Sequence, residues 1–356
     1  MQPLSIYAGK KAMAQIKQNG VHPEMFTAVL GASGGPKWFV LYGLDKVLFN
    51  DFMDKGVHTV DIIGSSIGAF RSACFAHNDP RAAIERLAHS YSNTIYSDKP
   101  SVREITEKGV KLLHYMMGEG GVDEVLSQSR KRLHIVVAES HGLAAKEIKW
   151  QQGTGLGLAA ARNALGRAKL QKSFTRVVFS NTDTLFDFEE KVAIASRHVS
   201  LSHDNMLMAL MATGSIPMVI EGVPDIPGAG PGVYRDGGII DYHFDMKINT
   251  PGLVLYPHFY KTPIPGWFDK ALKKRSCHAD SYENVVLIAP SEEFVATLPY
   301  GKIPDRKDFE TMPAKQRIDY WQKVMSASEQ LGEAFLQWVN SENPSKFVQA
   351  IQLQRV

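Results

Sequence analysis

Cysteine is scarce in this 356-residue chain: Cys74 and Cys277 are the only two. They can close at most one bridge, and a chain of this length buries enough apolar surface without it. A disulfide scaffold is therefore excluded, and reduced thiols in the cytoplasm are expected. An uninterrupted apolar run of about 18 residues, which a membrane-crossing helix requires, is also missing. The richest stretch, 206–220, is broken by Thr213, Gly214, Ser215 and Pro217. The N-terminal segment carries Lys10, Lys11 and Lys17 with no apolar core of roughly 7 to 15 residues, so no secretory signal is read there. Charge of one sign is not in excess. The 40 Lys and Arg nearly balance the 37 Asp and Glu, a formal +3 spread along the chain, which argues against nucleic acid as a partner. The twelve histidines show no H-x-x-x-H or comparable spacing backed by cysteines or carboxylates, so neither a metal nor a cofactor is expected.

A hydrophobic share of 44% against 22% charged residues is the balance of a globular protein with a core. The order of elements reads as mixed α/β. Residues 5–19 are spaced as a helix through Tyr7, Ala8, Ala12 and Ile16, closed by Gly20. The apolar run Phe26–Leu30 ends in Gly31-Ala32-Ser33-Gly34-Gly35, with Pro36 placed as a first helical residue. The plan then repeats, with the strand-like run 57–63, the tight turn Gly64-Ser65-Ser66-Ile67-Gly68 and a helix to about His77. Further β-rich runs at 133–138, 176–180 and 285–288 imply a sheet covered by helices. Four prolines between Pro251 and Pro265 predict that an extended segment leaves the main unit after Asn249. The stripe Ile318, Trp321, Met325, Leu331, Phe335, Trp338 predicts a packed helix over 314–340.

Three short patterns carry chemistry. Gly64-Ser65-Ser66-Ile67-Gly68 is a G-x-S-x-G nucleophile elbow, in which small neighbours let Ser66 sit on a strained turn between strand and helix with its hydroxyl presented. Gly34 and Gly35, at a helix start, supply N–H groups for a developing oxyanion, and Lys37 adds positive charge beside them. Asp236-Gly237-Gly238 offers a carboxylate that can approach a serine hydroxyl closely enough to act as its base. Two glycine patterns are decoys. Gly31 and Lys37 have P-loop spacing, but Pro36 and Trp38 replace the residues that would hold phosphate and Mg²⁺. Gly153-Thr154-Gly155-Leu156-Gly157 lacks a preceding strand and a last fingerprint glycine, and reads as a loop entering a helix over 157–168.

The three patterns, in this order, resemble the patatin-like phospholipase family over residues 27–249. That family carries a G-G-G-x-[RK]-G loop, a G-x-S-x-G serine and a D-G-[GA] aspartate. The segment Ala212-Thr213-Gly214-Ser215-Ile216-Pro217 is similar to one the family carries before its aspartate. Ser33 and Trp38 depart from the pattern, and Trp38 is expected to line or narrow the acyl site. The resemblance implies an α/β fold, a three-layer α/β/α sandwich around a mixed sheet, with a helical C-terminal extension. The expected division is an N-terminal helical leader over 1–26, an acyl hydrolase domain over 27–249, and an extension over 250–356 packed on it. It implies a lipid acyl hydrolase cleaving fatty acyl esters of phospholipids or lysophospholipids. Its catalytic residues would be Ser66 and Asp236, its oxyanion hole Gly34, Gly35 and Lys37, and its supporting glycines Gly64, Gly68, Gly237 and Gly238. The expected partner is a lipid or acyl ester, met in the cytoplasm or at a membrane surface.

Two other readings stay open on the residues alone: a Ser-His-Asp esterase using His243, and a non-catalytic acyl-lipid binder. The apolar run Met206–Met211 reads as core or as the wall of an acyl channel. Residues 263–276 combine Trp267, Phe268 and Leu272 with Lys270, Lys273, Lys274 and Arg275, opposed only by Asp269. They read either as a helix lying on a lipid surface or as one packed on the domain.

Overall fold

The computed structural model describes residues 2–353. Its frame is a mixed sheet of 11 strands flanked by helices in a three-layer α/β/α sandwich. At its centre, Val285–Pro290, Leu253–Pro257, Phe26–Gly31, Val60–Ser65 and Lys131–Ser140 run parallel in that spatial order. Every residue of Leu253–Pro257 and Val285–Pro290 is buried. Continuous burial, in place of an in-out alternation, is what a parallel strand covered on both faces requires, and it explains the unbroken Val, Leu and Ile runs. Antiparallel strands flank this centre. Leu4–Ala8 pairs with Val285–Pro290 on one side, and Phe174–Ser180 with Lys131–Ser140 on the other.

One strand edge positions the site. Residues 131–136 of Lys131–Ser140 pair in parallel with Val60–Ser65, so that Ser65 lies opposite Val136. On the same edge, residues 137–140 pair antiparallel with Val233–Asp236, so that Asp236 lies opposite Val137. Two strands running in opposite directions thus end nose to nose along one neighbour. The turn after each, with Ser66 on one and Gly237 on the other, is delivered to the same place from segments 170 residues apart in sequence.

Several local expectations are corrected. The N-terminal segment begins with a strand, Leu4–Ala8, and its helix is confined to Lys10–Asn19. The burial of that strand alternates along its length, the period of a strand and not of the helix read over 5–19. The proline-rich region after Asn249 does not leave the main unit. It first supplies the central strand Leu253–Pro257, and Val285–Pro290 follows from the same region. Gly153, Gly155 and Gly157 lie inside the helix Lys149–Leu165, not in a loop before it. Gly155 is required there, because a Cβ would stand 2.3 Å from the Ala144 nitrogen. The expected single helix over 314–340 is two, Ala314–Ala327 and Glu329–Val339. Ser328 stands between them, its hydroxyl accepting the Gly43 N–H at 2.8 Å and donating to the Met325 carbonyl at 2.6 Å. The helix Met206–Thr213 is mostly core, and no residue of the run Met206–Met211 lines the site cavity described below.

Candidate active site

Ser66 follows the last strand residue and precedes the helix Ile67–Ala76, with φ 53° and ψ −133°. A non-glycine residue in this region is strained, and it stays there only where its surroundings fix it. Two features do so. The Ser66 N–H donates to the Thr213 hydroxyl at 2.9 Å, which itself donates to the Val136 carbonyl at 2.6 Å. The elbow also presses against the glycine loop, since a Cβ on Gly68 would meet the Gly31 oxygen at 1.9 Å. A Cβ on Gly64 would likewise fall 2.5 Å from the Ala69 backbone, so the G-x-S-x-G spacing is a demand for backbone-to-backbone contact on both sides of the serine.

The Ser66 hydroxyl donates to Asp236 Oδ2 at 2.8 Å, and both residues are buried. Asp236 ends its strand and caps the turn Gly237–Ile239, where its Oδ1 accepts the Gly238 N–H at 2.7 Å. Gly237 has no room for a side chain, because a Cβ would lie 2.0 Å from the Val136 oxygen. Burial pushes the Asp236 carboxyl up to about 6, against the opposing pull of the Ser66 and Gly238 hydrogen bonds and of Lys270 and Arg306. The turn beyond Asp236 is pinned from several sides. Arg176 grips the Asp241 carboxylate at 2.6 and 2.9 Å, and Arg167 donates to the Ile240 carbonyl at 2.6 Å. The Ser65 hydroxyl donates to the Asp241 carbonyl at 2.6 Å, and the Ser33 N–H donates to the Tyr242 carbonyl at 3.0 Å.

Ser33, the departure from the glycine pattern, has a role here. Its hydroxyl lies 2.7 Å from the Ser65 hydroxyl and donates to the Ser65 carbonyl at 3.1 Å, tying the glycine loop to the elbow. Gly34 and Gly35 line the same cavity as Ser66 and Asp236. Gly34 lies against Phe259, where a Cβ would fall 2.5 Å from the ring. Gly35 has φ 56° and opens the 3₁₀ helix Gly35–Leu41, a seven-residue turn in place of the regular helix expected. The Lys37 ammonium reaches the cavity but is ion-paired with Asp305 from the C-terminal region. Trp38 does not narrow the site. It is fully buried against Phe39 and Tyr42 and is not part of the cavity wall.

The cavity measures about 140 Å³ and is completed by Tyr242 and Arg306, which no motif announced, and by Trp267 and Lys270 of the aromatic and basic segment 263–276. Residues 263–276 do not form a surface helix. Trp267–Ala271 is a single 3₁₀ turn whose Trp267 and Phe268 pack against a buried cluster that includes Leu156, Leu170, Phe174, Ile239 and Ile240. The wholly buried Asp269 anchors this turn through Asn163 at 2.6 Å and through Arg167 and Arg275, each at 3.1 Å. Lys270 projects into the cavity with its ammonium 3.6 Å from the centre of the Tyr242 ring. The small-residue segment before the aspartate also reaches the site. Thr213 holds the elbow, the Ser215 carbonyl accepts the Asp236 N–H at 3.1 Å, and Ile216 and Pro217 line the cavity. His243 is wholly buried; its Nδ1 accepts the Ile264 N–H at 2.9 Å and its ring packs on Tyr242, His258 and Phe259. Among the described residues no cluster of three or more His, Cys, Asp or Glu is arranged to hold a metal. No helix among them is long and apolar enough to cross a membrane.

No protein-family model and no curated protein matches the chain. Among solved structures, it is similar to VipD from Legionella pneumophila at 13% identity and a TM-score of 0.32, over 70% of this chain and 52% of that one. It is also similar to the human GIVD cytosolic phospholipase A2 at 11% identity and a TM-score of 0.42, over 95% of this chain and 63% of that one. The chain thus spans about half the length of the first and under two thirds of the second.

Proposed function

We propose that the protein is a serine acyl hydrolase of the lipid-ester class, working through a Ser66–Asp236 dyad. The observation that carries this reading is the 2.8 Å contact between the hydroxyl of a strained, glycine-flanked serine and a buried carboxylate, on the wall of a cavity shared with Gly34 and Gly35. A carboxylate raised to about 6 is a better proton acceptor than an ordinary aspartate, yet remains ionised at neutral pH. Asp236 Oδ2 takes the Ser66 proton as Oγ adds to the ester carbonyl carbon. The carbonyl oxygen becomes the oxyanion, and its stabilisation is assigned to the N–H groups of Gly34 and Gly35, which line the same cavity. Collapse breaks the ester C–O bond, and the leaving alkoxide receives the proton held by Asp236. Water, deprotonated by the same carboxylate, then releases the acyl group as an acid and restores Ser66. Lys37 brings positive charge to the cavity wall, partly offset by Asp305, which pairs with its ammonium.

The direct serine–carboxylate contact favours the dyad over a triad with an intervening imidazole. The His243 Nδ1 is committed to a backbone N–H, and its ring is enclosed by aromatic neighbours. The test is covalent. A fluorophosphonate should form one adduct, mapped to Ser66 by peptide mass spectrometry. Ser66→Ala should abolish both the adduct and ester hydrolysis, with turnover falling by on the order of 10³ or more. An adduct on another serine, or hydrolysis that survives Ser66→Ala in folded protein, defeats the reading.

A further inference from the structure

We propose that the Ser66 cavity limits the acyl half of the ester to about two to six carbons, and that Ile216 and Trp267 impose that limit. This rests on the hydrolase reading above and goes on to specify its substrate: a short acyl group on a larger alcohol.

The cavity has a polar end and an apolar wall. Ser66, Asp236, Gly34 and Gly35 form the end where the carbonyl reacts, and Ile216, Pro217, Ile239, Tyr242 and Trp267 form the wall. Its volume of about 140 Å³ is close to the roughly 150 Å³ that holds a benzene-sized molecule, about six carbon atoms. A dodecanoyl chain needs about twice that space. Past the wall the lining is charged, with Lys37 paired to Asp305 and with Lys270 and Arg306 exposed. A methylene buried against the wall strengthens binding, whereas one extended among solvated charges gains nothing. The run Met206–Met211, which could have walled a longer channel, lies outside this cavity.

The wall is fixed from behind. Trp267 opens the 3₁₀ turn that the buried Asp269 anchors through Asn163, Arg167 and Arg275. The Tyr242 N–H donates to the Pro265 carbonyl at 2.9 Å, which ties Tyr242 to that turn, and its own carbonyl accepts the Ser33 N–H at 3.0 Å. Ile216 and Pro217 are held on both sides. Before them the Ser215 carbonyl accepts the Asp236 N–H at 3.1 Å, and after them the Met218 N–H donates to Gln152 Oε1 at 2.7 Å. A wall tied down at each end is preorganised, so its size is a property of the fold and not of the ligand. In the alternative, a long chain passes the charged rim into the larger cleft of about 1060 Å³ that Lys270 also borders, and rates hold or rise with chain length.

The experiment measures kcat/KM for monomeric p-nitrophenyl acetate, butanoate, hexanoate, octanoate and dodecanoate in the parent, Trp267→Ala and Ile216→Ala. In the parent the value should peak at butanoate or hexanoate and fall ~10-fold or more by dodecanoate, as a chain too long for its pocket requires. Each substitution should move the peak to a longer chain and raise the dodecanoate-to-butanoate ratio ~10-fold, chiefly through KM. Ile216→Ala leaves the buried cluster behind Trp267 intact and carries the test if Trp267→Ala does not fold. A parent whose Ser66-dependent rate holds or rises through dodecanoate overturns the limit and leaves the hydrolase reading intact, as does a peak that neither substitution moves. A second series keeps the butanoyl group and lengthens the alcohol from methyl to octyl, which the parent should tolerate. A limit on the alcohol instead assigns the cavity to the leaving group and overturns the proposal. Absence of hydrolysis in both series, with no fluorophosphonate adduct, defeats the hydrolase reading itself, and the acyl limit falls with it.

Discussion

At the scale of single residues, the proposed base is the most informative group in the molecule. Its folded-state value of about 6, against an ordinary 3.8, means that the folded protein keeps a proton the unfolded chain has already released between those values. Stability from this source is fully present below about pH 4 and is lost as pH rises through 6, the loss at neutral pH being on the order of 1–3 kcal/mol. Activity runs the other way, because only the ionised carboxylate can accept the serine proton. kcat/KM should fall about tenfold per unit below pH 6 in a pH–rate profile. Asp236→Asn separates the two effects. Its amide can still accept the Gly238 N–H and face the Ser66 hydroxyl, so at pH 8 its melting temperature should exceed the parent's by about 2–5 °C while turnover falls by 10³ or more. At pH 4 the melting temperatures should converge, and a variant less stable than the parent at pH 8 would show that the carboxylate is not held at an energetic cost. Ser66 and Asp236 were legible in the sequence because their chemistry is written in short local patterns. Lys270 and Arg306 were not, since an isolated lysine in a basic stretch and an isolated arginine in a polar loop acquire meaning only from what the chain brings opposite them.

Elements show why some patterns could be read and others misled. Gly31 and Gly68 belong to different turns, yet their backbones touch, so the two glycine motifs are one structural device. Gly68→Ala should therefore force the loops apart, with a loss of about 2–3 kcal/mol and a slower fluorophosphonate reaction at Ser66, measured by denaturant unfolding and labelling rate. Gly153 provides the opposite case. It sits mid-helix with nothing within 4 Å of an added Cβ, and Gly153→Ala should stabilise by about 0.4–1 kcal/mol and leave labelling unchanged. The same glycine-rich run has the composition of a loop, yet glycine content is a weak signal of irregular backbone when close packing, as at Gly155 against Ala144, demands glycine inside a helix. The strand Leu4–Ala8 was hidden for a related reason. Five residues of alternating burial run almost directly into a ten-residue helix, and a single helical period laid over both absorbs the shorter signal.

For the whole molecule, the decisive fact is the order of strands, which no local pattern encodes. The region 27–249 contains every motif of the site, but the sheet it would need is not all there. The strand Phe26–Gly31, which leads into the glycine loop, is flanked on one side by Val60–Ser65 and on the other by Leu253–Pro257, itself backed by Val285–Pro290. Those last two strands bury Leu253, Val254, Leu255, Tyr256, Val285, Val286, Leu287 and Ile288 almost completely. At about 1.5–3 kcal/mol for each large apolar side chain, removal of these eight forfeits roughly 12–24 kcal/mol of burial. A whole domain has a net stability of only about 5–15 kcal/mol. The loss also leaves a buried parallel edge open to pairing with other chains. The C-terminal region further supplies Lys270 and Arg306 to the cavity and the Asp305 partner of Lys37. A fragment comprising residues 27–249 should accordingly fail to fold as a hydrolase domain, despite holding Ser66, Asp236, Gly34 and Gly35. Expressed alone it should lack cooperative thermal unfolding by circular dichroism and give no fluorophosphonate adduct under conditions where the full chain gives both. A fragment that melts cooperatively and labels at Ser66 would mean that the C-terminal strands are additions to a self-sufficient core and not part of it.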